Sequence, residues 1–439
     1  MAKRGPGIRA AAEIKDWAIL LYLVADHDGD DLDDSLIEEL KTIIAAAKSI
    51  LPSAHVAYQV DLKDTDGVFR HRIDGTERAA DKPPLPKVKE ETFAASPNNL
   101  REFFKWSKEE CPARHHAVFF WGHSAGPAGL FPMFIAANPD FGPALRLDAL
   151  AVAAAGPPSV FDHAGPALRA LFADRLEQEI MLDRVDPADP LRLFSLKNEI
   201  KSAFGTVDLV AFKDCWMSTL ETAAEMAGAT KYMVASQSIV PVVGWPYAKM
   251  FNTISEASAT DLRDAVAKVV SHLGTHYGDP EHRRLTKRKA PPDEVPFTGL
   301  ELEGVSAVTG PLKVFVKAWT DMTDNLRDRA RRAMQHASAG DEASLLDATS
   351  LSGAVSAFAD LRDSSNELKR VLNDPNGLIV RHRTQEANSG FTGVSLFYDS
   401  NDGRSILRTL MDLRLREYAK LALNRQTGWK AIAFDDLDN

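Results

Sequence analysis

The sequence predicts an α/β protein, a three-layer αβα sandwich around a mostly parallel sheet, followed by a C-terminal helical region. Three observations carry that expectation. Short apolar runs of strand length recur at 17–25, 55–61, 116–121, 207–212, 231–236 and 393–398. Most are nearly continuous rather than alternating, as strands covered on both faces must be. Segments with helical spacing separate them, at 34–49, 98–110 and 217–228, the second opened by Ser96-Pro97. Such alternation puts helices on both faces of one sheet.

Taken in order, the first run (17–25) follows Glu13, Lys15 and Asp16 directly and is too short to span a bilayer. The expectation is a cytoplasmic chain with no signal peptide and no membrane contact. Between the third and fourth runs, 131–190 is rich in Ala, Pro and Gly and reads as an insertion. A second irregular stretch, 272–297, contains HRRLTKRKAPPDEVP, a basic run closed by Pro291-Pro292 that reads as an exposed loop. These limits give a domain at 1–298 and a helical region at 299–439, with helical spacing at 312–338 and 342–373. The strand at 393–398 is expected to return to the main sheet.

The totals narrow the class. A chain of 439 residues with 45% apolar content buries a large core. The formal charge of -10, spread along the chain, argues against a nucleic-acid partner. Two cysteines, Cys111 and Cys215, exclude a disulfide scaffold and a four-cysteine zinc site, and point to a reducing compartment.

Chemistry concentrates at two strand ends. In VDLVAFKDCWMSTLETAAEM a strand turns sharply into a helix with Cys215 at the turn. Reactive groups of open α/β sheets gather beyond the carboxyl ends of the strands, and a helix N-terminus beside the sulfur favours thiolate. In HHAVFFWGHSAG, His123 stands just past a second such strand. An imidazole within reach activates a thiol and protonates a leaving amine. The two residues can meet only if their strands are neighbours.

The chain resembles the clostripain-like cysteine peptidases, relatives of caspases, gingipains and legumain. The likeness runs through WAILLYLVAD, FFKW, FFWGHSAG, VAFKDCWMSTLE, YMVASQSIVPVVGWPY and GVSLFYDS, with Tyr418 and TGWKAI closing the chain. It implies a caspase-like sheet, a His123/Cys215 dyad and cleavage of protein or peptide substrates through a thioester acyl-enzyme. It also implies an oxyanion site made by the backbone N–H groups of Cys215 and Ser124, and processing between the His and Cys strands by the enzyme itself or by an activating protease.

Two departures bear on specificity. Relatives that cut after Arg or Lys carry Asp two residues before the Cys and an acid just before the Gly-Trp; this chain has Lys213 and Val243 there, next to Gly244-Trp245. By strand alternation Lys213 shares a face with Cys215. A pocket formed by Lys213, Val243 and Trp245 rejects basic side chains. With Lys213 exposed to substrate it favours Asp or Glu; with Lys213 turned away and Val243 as the wall it favours an apolar residue. In a third arrangement Lys213 pairs with a nearby carboxylate and another Asp lines the pocket.

Other readings compete. Gly122-His123-Ser124-Ala125-Gly126 fits G-x-S-x-G, which makes Ser124 the nucleophile of an α/β-hydrolase esterase, with His272, His276 or His382 as its base. Pro127 and Gly129 stand where its helix should begin, and Cys215 is left unexplained. A catalytically silent peptide-binding chain would have lost His or Cys, and both are present. No cofactor is expected. The run Asp26, Asp28, Asp30, Asp31, Asp33, Asp34 suits calcium by charge but lacks the loop glycine, and a solvated loop into a helix is the plainer account. Asp26 is also placed to orient His123. A cytoplasmic peptidase of this kind suits a regulatory or bacterial defence role.

Overall fold

A computed structural model describes residues 13–24, 33–62, 65–77, 83–89, 97–122, 193–241, 244–280, 295–339, 342–384, 390–398 and 418–434. From the amino end, β1 (Lys15–Val24) leads through α1 (Asp33–Ala47) to β2 (Ala54–Leu62), β3 (Thr65–Ile73) and β4 (Lys87–Lys89). Next come α2 (Pro97–Glu110), β5 (Ala113–Trp121), α3 (Leu193–Phe204), β6 (Val207–Phe212), α4 (Leu220–Met226) and β7 (Thr230–Ser236). After α5 (Tyr247–Ser255), α6 (Leu262–Gly278) and β8 (Phe297–Glu301), the last third supplies α7 (Val305–Asp321), α8 (Asp324–Met334), β9 (Ser338–Ala339) and β10 (Glu342–Asp347). It ends with α9 (Leu351–Ala354), α10 (Ala359–Leu372), β11 (Ile379–Arg383), β12 (Ser395–Phe397), α11 (Ala422–Thr427) and α12 (Lys430–Ala433).

The main sheet has the order β11-β8-β7-β6-β5-β1-β2-β3-β4. Its centre, β7-β6-β5-β1-β2, is parallel, and antiparallel strands finish both sides. The continuous apolar runs now have their cause. On β1, Ala18, Leu20, Tyr22 and Val24 enter one core layer, and Trp17, Ile19, Leu21 and Leu23 enter the other. Leu100, Phe103 and Phe104 of α2, Ile200 of α3 and Leu220 of α4 fill the first layer. Leu36, Leu40 and Ile43 of α1, Phe251 of α5 and Val266 of α6 fill the second. The central strand β1 is thereby dry on both sides, the condition under which parallel strands persist.

The C-terminal third differs from its expected layout. The strand at 393–398 does not return to the main sheet; β12 pairs antiparallel with β10 in a separate sheet of order β12-β10-β9. The reason is occupancy: β8 already pairs with β7, and β11 takes the outer edge of β8. The boundary expected at 298 consequently falls inside β8. Helical spacing expected from 342 gives way to β10, whose Asp347 is fully buried and accepts bonds from Thr392 and Ser350. The loop expected from His272 begins later, because α6 continues to Gly278. The insertion at 131–190 and most of the basic loop lie outside the described residues.

Candidate active site

β5 and β6 are adjacent and parallel, with Phe119 beside Ala211 and Phe120 beside Phe212. The ladder runs one residue further, since the Lys213 N–H donates to the Phe120 carbonyl at 2.8 Å. There the strand stops and 214–216 turn back across the rim. Trp216 adopts φ 53°, the sole positive φ at a non-glycine among the described residues. A left-handed Trp costs on the order of 1–2 kcal/mol. It is held by its surroundings: its N–H donates to Ser238 O at 3.2 Å, and its side chain is buried. Ser218 fastens the far side, with its N–H on Ser236 O (2.8 Å) and its hydroxyl on Gly393 O (2.7 Å). The turn that carries Cys215 is therefore fixed both to the end of β7 and to the C-terminal subsheet.

Cys215 is a partly exposed free thiol whose Sγ accepts the Val240 N–H at 3.3 Å. The helix behind it starts later than expected: α4 begins at Leu220, capped by Thr219, whose hydroxyl accepts the Thr222 N–H. The Val240 donor comes from the chain after β7. Asp214, the preceding residue, is buried and accepts the backbone N–H of Gly122; burial pushes its carboxyl up to about 7, opposed by that hydrogen bond and by Lys213. Gly122 immediately precedes His123, so Asp214 joins the two chain ends that bear the expected dyad.

Lys213 corrects the alternation argument. It does not share a face with Cys215, because β6 ends at Phe212 and the turn breaks the two-residue period. Cys215 packs against the core layer that contains Phe212. Lys213 enters the other layer, 5.4 Å from the centroid of the Trp121 ring, and its buried ammonium pairs with Glu39 of α1. Burial lowers the Lys213 pKa and Glu39 opposes the shift. The Tyr247 hydroxyl also donates to Glu39, and Tyr247 is driven well above its usual value by burial and by that carboxylate. Above this group lies half-buried Gly244, whose carbonyl accepts from His276 Nε2 at 2.8 Å. Trp245 is enclosed as well. Only 2% exposed, it packs among Phe119, Tyr247 and Phe297.

His123, Ser124, Val243 and Asp26 lie outside the described residues. Of the histidines named for the esterase reading, His272 meets Thr253 (3.1 Å), His276 meets Gly244, and His382 sits on edge strand β11 between Thr298 and Phe391 O. Among the described residues no cluster of His, Cys, Asp or Glu is arranged to hold a metal, and no helix is long and apolar enough to cross a membrane. Glu39 and the Val240 N–H were not anticipated. Glu39 had a signal: it is an acid on the apolar stripe formed by Leu36, Leu40 and Ile43. A backbone donor leaves no signal in sequence.

The clostripain family model matches residues 162–431, which include the Cys215 turn, Gly244-Trp245 and the C-terminal segments that brace them. The chain belongs to the clostripain family. This clostripain-family chain is accordingly a cysteine peptidase, and its architecture is the caspase-like one. Its fold is similar to that of an inactive zymogen C11 protease from Parabacteroides distasonis, with TM-score 0.59 and 12% identity over 95% of this chain and 99% of that one. A secreted C11 cysteine protease from Bacteroides thetaiotaomicron, solved with an irreversible peptide inhibitor, gives TM-score 0.57 and 14% identity over 95% and 100%. Comparison with curated proteins found no match.

Proposed function

We propose that this peptidase cleaves internal peptide bonds with Cys215 as nucleophile and His123 as proton carrier. One observation carries the reading: β5 and β6 are neighbours whose carboxyl ends reach the same rim, where Asp214 holds the N–H of the residue before His123. The Cys215 thiol passes its proton to His123 and its sulfur attacks the scissile carbonyl, and the tetrahedral oxyanion is met by the N–H groups of Cys215 and Ser124. Collapse expels the amine, protonated by His123, and leaves a thioester that water hydrolyses with the same imidazole as base. A peptide-library digest by the purified chain tests this. Cleavage should vanish in Cys215→Ala and persist in Ser124→Ala; the reverse pattern would install the esterase nucleophile instead.

The finer reading is a non-basic preference before the scissile bond, and of the two forms considered, the apolar one. Lys213 and Glu39 neutralise each other and Asp214 is engaged with Gly122, so an incoming guanidinium finds no open carboxylate among these groups. Processing within 131–190 is the proposed route to activity. The Parabacteroides neighbour was solved as an inactive zymogen. Intact mass of active enzyme would show two pieces rather than one. Free Cys111 and Cys215 suit a reducing compartment, and with it a cytoplasmic regulatory or defence role, which cell fractionation tests.

A further inference from the structure

Backbone groups at and just beyond the end of β7 hold the nucleophile turn. The Ser236 carbonyl accepts the Ser218 N–H (2.8 Å), the Ser238 carbonyl accepts the Trp216 N–H (3.2 Å), and the Val240 N–H donates to Cys215 Sγ (3.3 Å). β7 ends at Ser236, so 237–240 have left the sheet. Gln237 anchors them. Its N–H donates to Pro296 O at 3.1 Å, and its side chain is fully buried. There Oε1 accepts the Gly393 N–H (2.6 Å), while Nε2 donates to Ser395 Oγ (2.9 Å) and to Asp347 Oδ2 (3.3 Å). The same stretch of chain carries the other side of the turn, because the Ser395 N–H donates to Ser218 O at 3.0 Å. Gly393 can offer only its N–H here and the Asp347 carboxylate only accepts, so the site demands an amide, with donor and acceptor on one planar head.

We infer that Gln237 is a positioning residue for the peptidase reaction: its buried amide sets the place of the Val240 N–H against the Cys215 sulfur, and with it the acidity and aim of the thiol. The inference rests on the proposal that Cys215 is the nucleophile. A hydrogen bond to sulfur favours thiolate over thiol, so a displaced Val240 N–H makes the thiol less acidic. Buried polar groups that lose a partner shift to find another, and the groups that Gln237 joins are the supports of the turn. An amide that only tied the subsheet to the core would cost stability when altered and leave the thiol as it was.

Two readouts on the full-length chain test it: kcat and KM on a fluorogenic peptide, and the pH profile of Cys215 alkylation by iodoacetamide, read by peptide mass. Cys111 is buried and is scored separately. Gln237→Glu keeps the shape but sets a second carboxylate against Asp347, and Gln237→Met removes the polar head. Either should lower kcat about tenfold to a hundredfold with KM little changed, as a misplaced nucleophile does. The alkylation profile should move up by about one pH unit. Asp208→Asn, at the amino end of β6, controls for lost stability and should leave both readouts alone. Ser395→Ala keeps Gln237 and removes one acceptor, so it decides the matter, with a smaller shift in the same direction, if thermal melts show both Gln237 variants unfolded. Folded variants with wild-type kcat and an unmoved alkylation profile overturn the inference and leave the peptidase standing. Wild-type cleavage that survives Cys215→Ala overturns both.

Discussion

The two ends of β5 and β6 carry similar chemistry and treat it differently. At the amino end, Asp208 of β6 accepts the His116 N–H (3.0 Å), meets Lys231 Nζ (2.7 Å) and has His115 Nδ1 at 3.3 Å. His116 lies 4.6 Å from the Phe204 ring, and His115 lies 5.0 Å from Trp17. Every group there sits on regular strand with its partners supplied. At the carboxyl end, an acid, a lysine and a thiol sit on a turn that contains a left-handed Trp, and the thiol stays partly exposed while accepting the Val240 backbone N–H. A histidine, an acid and a cation do not make a reactive site by composition. Strand ends do, because there the chain leaves its ladder and can hold a group in place without enclosing it.

The largest test of that contrast is activity. Cys215→Ala should lower kcat/KM by roughly four orders of magnitude or more, with His123→Ala nearly as severe because the two act as a unit. Asp208→Asn, at the other end, should leave the kcat/KM of folded enzyme within about twofold and lower stability by about 2 kcal/mol, because the buried site loses its charge and gains a misplaced donor. Denaturant titration and a fluorogenic peptide assay on the same preparations separate the two. Catalytic collapse in Asp208→Asn would break the comparison.

What could be foreseen follows the same division. Strands β1, β5 and β6 were legible because both their faces are dry, which writes an unbroken apolar run, and the rim position of Cys215 followed from where its run stopped. Past that point the sequence misled. Nothing about a tryptophan announces a left-handed backbone, so alternation was carried two residues too far and put Lys213 beside Cys215. The β11 sequence, IVRHR, is a partly exposed edge and shows no apolar run. With β11 unseen, the edge it occupies looked available to the strand at 393–398. The partner of Lys213 lies in α1, 174 residues earlier in the chain, which local spacing does not reach.

A smaller effect is expected where the carboxyl end is braced. Gly393 has φ 134°, and a Cβ there would stand 2.8 Å from Ile379 Cδ1. Its N–H donates to Gln237 (2.6 Å) and its carbonyl accepts from Ser218, three residues past Cys215. Gly393→Ala should cost about 1.5 kcal/mol of stability through backbone strain. It should also lower kcat several-fold, with KM less affected, since it moves the support of the nucleophile turn. An equal loss of stability in Asp208→Asn without loss of kcat would show that the rim, not general stability, carries the effect.

The smallest net effect is the response of stability to pH, where the two strand ends oppose each other. Burial lowers His116 to about 4, so between that value and its ordinary 6.5 the unfolded chain binds more protons and stability rises with pH. Burial raises Asp214 to about 7 from 3.8, so between those values the folded chain binds more protons and stability falls as pH rises. Each slope is at most about 1.4 kcal/mol per pH unit. Over the shared window the contributions of these two groups should nearly cancel, leaving their combined effect in the wild type within about 1 kcal/mol. Each substitution then exposes the other slope. Asp214→Asn, which keeps an acceptor for Gly122, should make stability climb more steeply from pH 4.5 to 6.5 than in the wild type. His116→Gln should make it decline over the same range. Denaturant titrations at several pH values read both, and parallel curves for the three proteins would show that neither end titrates across this window.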